Sequence, residues 1–227
     1  MHQYSILLLT LVIVACSSKP EGRNTLAVDS SYPMSAGNSV EGKALYATCA
    51  VCHGTSGEGN QKMNAPALAS TEGWYLYQQL MNFKKEFRGA TRQDSLGFQM
   101  AAMAKTLKDS MAIGHVVAYI KTMPAVTLPS IVLGDIEKGK RIYESVCGSC
   151  HGPGASGNEK LNAPRLNGLD DWYLKRQVYN FKNSIRGTHP RDKFGAQMIS
   201  MMALLPDSQA VDNVIAYIRS TTQPISK

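Results

Sequence analysis

Twice in 227 residues the chain writes nearly the same cysteine-rich line, and nothing else in it restricts the fold so tightly. CAVCHGTSGEGNQKMNAPAL runs from Cys49 to Leu68, and CGSCHGPGASGNEKLNAPRL runs from Cys147 to Leu166. The opening cysteines stand 98 positions apart. The same offset carries His53 to His151, Pro66 to Pro164, Trp74 to Trp172, Phe83 to Phe181, Arg88 to Arg186, Met100 to Met198 and Tyr119 to Tyr217. Ahead of the cysteines the offset falls to 97, where Gly42 and Tyr46 meet Gly139 and Tyr143. Two tandem copies are too few for a solenoid and define two domains, 38–123 and 134–227. A unit of about 90 residues buries a modest core and gains from a cofactor, a metal or a disulfide. The connector 124–133 carries two prolines and is a stiff joint.

Each copy is helical. GKALYATC and GKRIYESVC lead into the cysteines with Leu45 or Ile142 on the apolar face. Leu76, Leu80 and Phe83 recur at i, i+4, i+7. Ile113, Val116, Val117 and Ile120 follow the i, i+3, i+4, i+7 stripe, as do Val211, Val214, Ile215 and Ile218. Asp109 and Asp207 precede those runs as N-caps. The Gly-, Asn- and Pro-rich stretches between are loops. No alternating apolar run asks for a sheet, so the expected fold class is all-α.

On a helical turn Cys49, Cys52 and His53 share one face, and Cys147, Cys150 and His151 repeat the arrangement. Two thiols so placed can add to the vinyl groups of a haem while the adjacent imidazole reaches its iron. C-x-x-C-H is the signature of covalent haem attachment. Structural zinc would want four ligands where each cluster offers three. A thioredoxin-like pair would want a βαβ setting, and plain disulfides would leave both histidines without a role. A sixth iron ligand must come from elsewhere. GFQMAAMAKTL and GAQMISMMALL place Met100 and Met103 against Met198 and Met201. Methionine is ordinarily a core filler, but a soft thioether suits a low-spin iron and raises its potential, so one methionine per domain is expected to ligate.

The pattern resembles class I cytochrome c in tandem, and specifically the dihaem cytochrome c4 family. The resemblance covers 38–227 and rests on C-x-x-C-H, on Ala65 to Leu68 (A-P-x-L), on WYLYQQLMNFKKEFRG, on the methionine segment and on a last helix ending AYI. It implies two covalently bound haem c groups and a pseudo-twofold relation between domains. In that family the ligand methionine stands seven residues before a leucine that precedes the last helix. Leu107 and Leu205 fit, which selects Met100 and Met198. Lys108-Asp109 and Pro206-Asp207 depart from the family's usual Ser-Asp. The resemblance further implies that the carbonyls of Pro66 and Pro164 accept hydrogen bonds from His53 and His151. Trp74, Tyr75, Trp172 and Tyr173 either wall the haems or pack between helices. Arg88 and Arg186 are expected at solvated helix ends, with pairing to haem propionates as the other option, and His115 and His189 as surface residues.

The fifth cysteine belongs to an address. Ile6–Val14 is too short an apolar run to span a bilayer and fits a secretory signal, residues 1–15. Ile13-Val14-Ala15-Cys16 resembles a bacterial lipobox, which makes Cys16 the expected site of lipidation. Residues 16–37, rich in Ser, Gly, Asn and Pro, are expected as a flexible tether. The formal charge of +7 comes from scattered Lys and Arg, which disfavours nucleic acid and leaves docking on acidic partners open.

These features imply an electron carrier rather than an enzyme, lipid-anchored on the periplasmic side of a bacterial membrane. By resemblance it passes electrons from a quinol–cytochrome c reductase to a haem–copper terminal oxidase. The rival is a haem subunit of a periplasmic oxidoreductase, a peroxidase or a sulfur-compound dehydrogenase. A gas sensor would place C-x-x-C-H near the C-terminus.

Overall fold

The computed structural model describes residues 37–126 and 128–222. The expected signal, Cys16 and most of the tether lie outside the described residues. The first domain holds α1 (Ser39–His53), α2 (Gly73–Lys84), α3 (Ser95–Thr106) and α4 (Ser110–Ile120). The second holds α5 (Ile136–Ile142), a π-helical turn (Tyr143–Cys147), α6 (Gly148–His151), α7 (Asp171–Lys182), α8 (Lys193–Met202) and α9 (Ser208–Ser220). Among the described residues the only β-pairing is two isolated bridges, Asn60 with Ala65 and Asn158 with Ala163.

In each domain the first and last helices cross and bury the stripe read from the sequence. Ile113, Val116, Val117 and Ile120 are at most 2% exposed, and Val211, Val214, Ile215 and Ile218 at most 4%. Tyr46 and Tyr143 lie beneath them, each donating its hydroxyl to the carbonyl that ends the cysteine helix, Gly54 at 2.8 Å and Gly152 at 2.7 Å. The helices approach closely because Gly42 and Gly139 have no side chain, and their Cα atoms face the backbone of His115 and Asn213. Asp109 and Asp207 cap α4 and α9 through bonds to the amides of Ala112 and Ala210.

The π-helical turn explains the change of offset. The second copy has one extra residue between its tyrosine and its first cysteine. A single wider turn absorbs that residue inside the helix. Tyr143 therefore keeps the hydrogen bond that Tyr46 makes, and C-x-x-C-H keeps its face.

The connector docks on the second domain. Asp171, fully buried, accepts from the amides of Ile131 and Val132 at 2.6 and 2.9 Å, and Arg219 donates to the carbonyl of Leu128.

Candidate functional site

The repeated Asn-Ala-Pro has a physical reason. Asn64 and Asn162 take left-handed backbone, with φ of 59° and 53°, a conformation asparagine tolerates better than most residues. Ala65 and Ala163, 5% exposed, close the small bridge back to Asn60 and Asn158. The turn then aims the next carbonyl inward. Pro66 O lies 2.8 Å from His53 Nδ1, and Pro164 O lies 2.7 Å from His151 Nδ1. A carbonyl can only accept, so Nδ1 carries the proton and Nε2 keeps its lone pair. Both imidazoles are 6% exposed. Burial pushes them below the ordinary histidine range, partly opposed by the proline carbonyls.

Each histidine lines a cleft, and the two clefts enclose about 1430 and 1470 Å³ of non-protein space, counting the part open to solvent. Cys49, Cys52, His53, Met100 and Met103 line the first, while Cys147, Cys150, His151, Met198, Met201 and Met202 line the second. None of the four described cysteines is in a disulfide, which leaves all four for covalent attachment. Burial, with Cys150 beside it, pushes the Cys147 thiol up to about 12, and burial also raises that of Cys49. Among the described residues no three His, Cys, Asp or Glu converge as a metal-binding cluster.

The clefts meet at one wall, since Tyr75, Gln79, Leu169, Tyr173 and Gln177 line both. Tyr75 and Tyr173 thus wall the site, whereas neither Trp74 nor Trp172 lines a cleft.

At that wall the structure corrects one expectation. Arg88 and Arg186 are not at solvated helix ends; each is only 7% exposed and crosses to the other domain. Arg88 donates to Gln79 of its own domain and to Gln177 and Tyr173 of the second. Arg186 donates to Gln177 of its own domain and to Gln79 and Tyr75 of the first. The guanidinium planes also rest 4.5 Å from the ring centroids of Phe83 and Phe181. Burial alone would raise the Tyr173 hydroxyl, but the two guanidinium groups outweigh it and hold it below the ordinary tyrosine range.

All these acceptors are neutral, and Nε of both arginines is buried without a protein acceptor. Neither buried cation has a carboxylate in hydrogen-bonding contact, although Asp192 lies near enough to Arg186 to favour its charge, and a buried cation so placed is costly. The propionates of a haem would offer acceptors to the two free Nε atoms, and the apolar cleft behind them, with its cysteines, its imidazole Nε2 and its thioethers, would suit the rest of the group.

The reciprocal bonds define a pseudo-twofold axis between the domains. The sequence alone did not single out Gln79, Gln177, Glu72 and Asp170; the available signal was that a glutamine inside the helix and an acidic residue just ahead of it recur at the 98 offset. The other histidines lie away from the clefts. His115 Nδ1 accepts from the Asn38 amide, with Glu41 3.1 Å from Nε2, and His189 stacks on Phe87 at 4.6 Å.

This is the architecture of a double c-type haem protein. The chain belongs to the cytochrome c family, whose model matches residues 39–124 and again 136–222. It carries two covalently bound haem c groups, as the duplicated C-x-x-C-H requires. Within the family it sides with the dihaem cytochromes c4. It is 25% identical to cytochrome c4 of Azotobacter vinelandii over 193 residues, 79% of this chain and 89% of that one. It is 31% identical to the thiosulfate dehydrogenase electron acceptor of Thiomonas intermedia over 157 residues, 63% of this chain and 67% of that one. The fold matches reduced cytochrome c4 from Pseudomonas stutzeri with a TM-score of 0.62 at 24% identity, over 81% of this chain and 98% of that one. Among the described residues no helix is long and apolar enough to cross a membrane.

Proposed function

We propose that the protein is a two-centre electron relay of the cell envelope, its irons held by His53 and Met100 in the first domain and by His151 and Met198 in the second. The observation that carries this reading is the pairing of clefts. Each offers one buried imidazole and at least one thioether, and the two share a wall of five residues. Bound haem supplies a one-electron ferric/ferrous couple.

The chain's own residues do the rest. Cys49, Cys52, Cys147 and Cys150 fix the groups by thioethers. The Pro66 and Pro164 carbonyls hold the imidazole planes and tautomers. Arg88 and Arg186 compensate acidic charge at the shared wall. Met100 packs against Phe83, Ala101 and Ala104, whereas Met103 is 38% exposed, which favours Met100 as the ligand. Met198 follows by the internal repeat. With His and Met on each iron no position is left for a substrate, so the protein moves electrons and makes no bonds.

Cys16 anchors the mature chain by lipid on the periplasmic side of a bacterial membrane. There it takes electrons from a quinol–cytochrome c reductase and delivers them to a haem–copper terminal oxidase. A second reading, electron acceptor of a sulfur-compound dehydrogenase, is supported by the likeness to the Thiomonas protein of that description. Potentiometry of Met100→His and Met198→His tests the ligands. Each variant should lower the potential of one haem and leave the other nearly unchanged. Unchanged potentials after Met198→His would transfer the role to Met201. Rapid carbon monoxide binding by the reduced wild type would reveal an open iron and overturn the relay. Reduction of the protein by a purified quinol-oxidising reductase, set against reduction by a thiosulfate dehydrogenase, separates the two partner readings.

A further inference from the structure

Glu72 and Asp170 stand at the N-cap positions of α2 and α7, yet neither side chain caps its helix. Asp94, Asp109, Asp135, Asp192 and Asp207, in the same position elsewhere, all accept from their own helix amides. That is the usual role of such a residue. The two exceptions reach into the opposite domain instead. Asp170 Oδ2 accepts from the Ala67 amide at 2.8 Å, and Glu72 Oε2 accepts from the Arg165 amide at 2.7 Å.

Those amides are not ordinary ones. Ala67 N belongs to the same peptide unit as Pro66 O, the acceptor of His53 Nδ1, and Arg165 N to the same unit as Pro164 O, the acceptor of His151 Nδ1. An unbroken line therefore runs from a carboxylate of one domain, through one peptide group, to the imidazole of the other. The peptides cannot easily turn away. A Cβ on Gly59, at φ 81°, would come within 2.5 Å of Ala67 N, and one on Gly157, at φ 84°, within 2.5 Å of Arg165 N, so each loop backbone lies flat against its peptide.

We propose that Asp170 and Glu72 are positioning residues that tune the haem of the opposite domain through this peptide relay. An amide N–H bonded to an anion releases electron density to its own carbonyl oxygen, and chained hydrogen bonds strengthen one another by about 10–30% per bond. The carbonyl then accepts more strongly from Nδ1–H, and the imidazole becomes a stronger donor to its iron. A stronger donor favours the ferric state and lowers the potential. Each centre's potential is thereby set partly by a side chain of the other domain. The two relays are unequal, because Asp170 also accepts at Oδ1 from Trp172 Nε1 at 3.2 Å, which draws on its charge. The inference rests on His53 and His151 as iron ligands.

The test uses the full dihaem protein, with Asp170→Asn and Glu72→Gln. Both substitutions keep an acceptor oxygen for the amide and remove the charge. Spectroelectrochemistry, with each haem assigned by nuclear magnetic resonance, should show Asp170→Asn favouring reduction of the first domain's haem about three- to tenfold. At 59 mV per decade that is about 30–60 mV. The second domain's haem should move by less than a third as much, and Glu72→Gln should give the mirror result. The His53 Nδ1 proton in the diamagnetic reduced protein should shift upfield in Asp170→Asn alone. Equal shifts of both haems, a shift confined to the variant's own domain, or unmoved potentials in low-spin protein would overturn the relay. The wild type gives a readout that needs no variant: the Ala67 and Arg165 amide protons should resonate far downfield and exchange slowly, and ordinary shifts there would also overturn it. A high-spin wild-type spectrum would remove the ligand assignment itself, a failure distinct from these.

Discussion

Replacing Gly42 with alanine adds one methyl group at the crossing of α1 and α4, and the structure sets its cost. An ideal Cβ there would sit 1.8 Å from His115 O and 2.9 Å from Tyr119 Cβ. Relaxed contacts of this kind essentially never fall below 3.0 Å, so the helices must part by about 1.2 Å, the difference between 3.0 and 1.8 Å. The gap would open over Tyr46, Ile113, Val116 and Val117, all at most 2% exposed. A radial gap of about 0.5–1 Å already forfeits a quarter to a half of each dispersion contact, and overpacking costs about 1–3 kcal/mol before that loss. Alanine returns up to about 1 kcal/mol of helix propensity. The net is about 2–3 kcal/mol of destabilisation, or about 10–20 °C in melting temperature for a domain of this size. Far-UV circular dichroism gives the melt, and the optical spectrum of each haem shows which domain yields first. Gly139→Ala, whose Cβ would meet Asn213 O at 1.9 Å, should do the same to the second domain. A variant melting at or above the wild-type temperature would refute the close-crossing argument.

Cys16→Ser should release the protein from membranes or stall its maturation; a wild type already wholly soluble in periplasmic extract would refute the anchor. Arg186→Lys keeps a charge but loses the fork that holds Tyr75, Gln79 and Gln177, and should weaken the domain contact by about 1–3 kcal/mol in denaturant titrations; Arg88→Lys should match it. Burial holds the Asp170 carboxyl above the usual carboxylate range, with Asp171 adding to this and the bonds from Ala67 and Trp172 and the charge of Arg219 opposing it. The folded state thus binds more protons than the unfolded one between the two pKa values, so this group's contribution to stability falls as pH rises through that window. The same titration should make the first domain's haem potential rise as pH falls, measured by potentiometry across acid pH.

What could be read along the chain was what is local. The helix stripes, the aspartate caps and the C-x-x-C-H runs each involve residues within about two turns of one another; the structure buries the stripes and forms the caps as expected, and each C-x-x-C-H lines one cleft. The internal repeat added longer reach: it revealed two domains and the one-residue change of offset. It did not reveal that a π-helical turn would absorb that residue. The interface was opaque for another reason. Arg88 and Arg186 end amphipathic stretches rich in lysine, where a charged residue normally faces water. What buries them is a second domain about a hundred positions away, which no helical period records. His189, expected as a surface residue, likewise meets its partner ring Phe87 only through that contact.

The crossed arginines carry a consequence for how such a molecule can vary. Each half offers the other the same tyrosine, glutamine and arginine at matching positions, so the contact is isologous, of the kind that joins identical subunits about a dyad. The chain is in effect a symmetric dimer fused end to end, with the connector raising the effective concentration of one half at the other to about the millimolar range. In a true homodimer a substitution appears on both sides at once, and the two centres stay degenerate. Fusion breaks that constraint: Asp170 can differ from Glu72, and one half can carry an inserted residue that the other lacks. A symmetric pair has no direction; a fused pair can acquire one a residue at a time, without disturbing the face that holds it together.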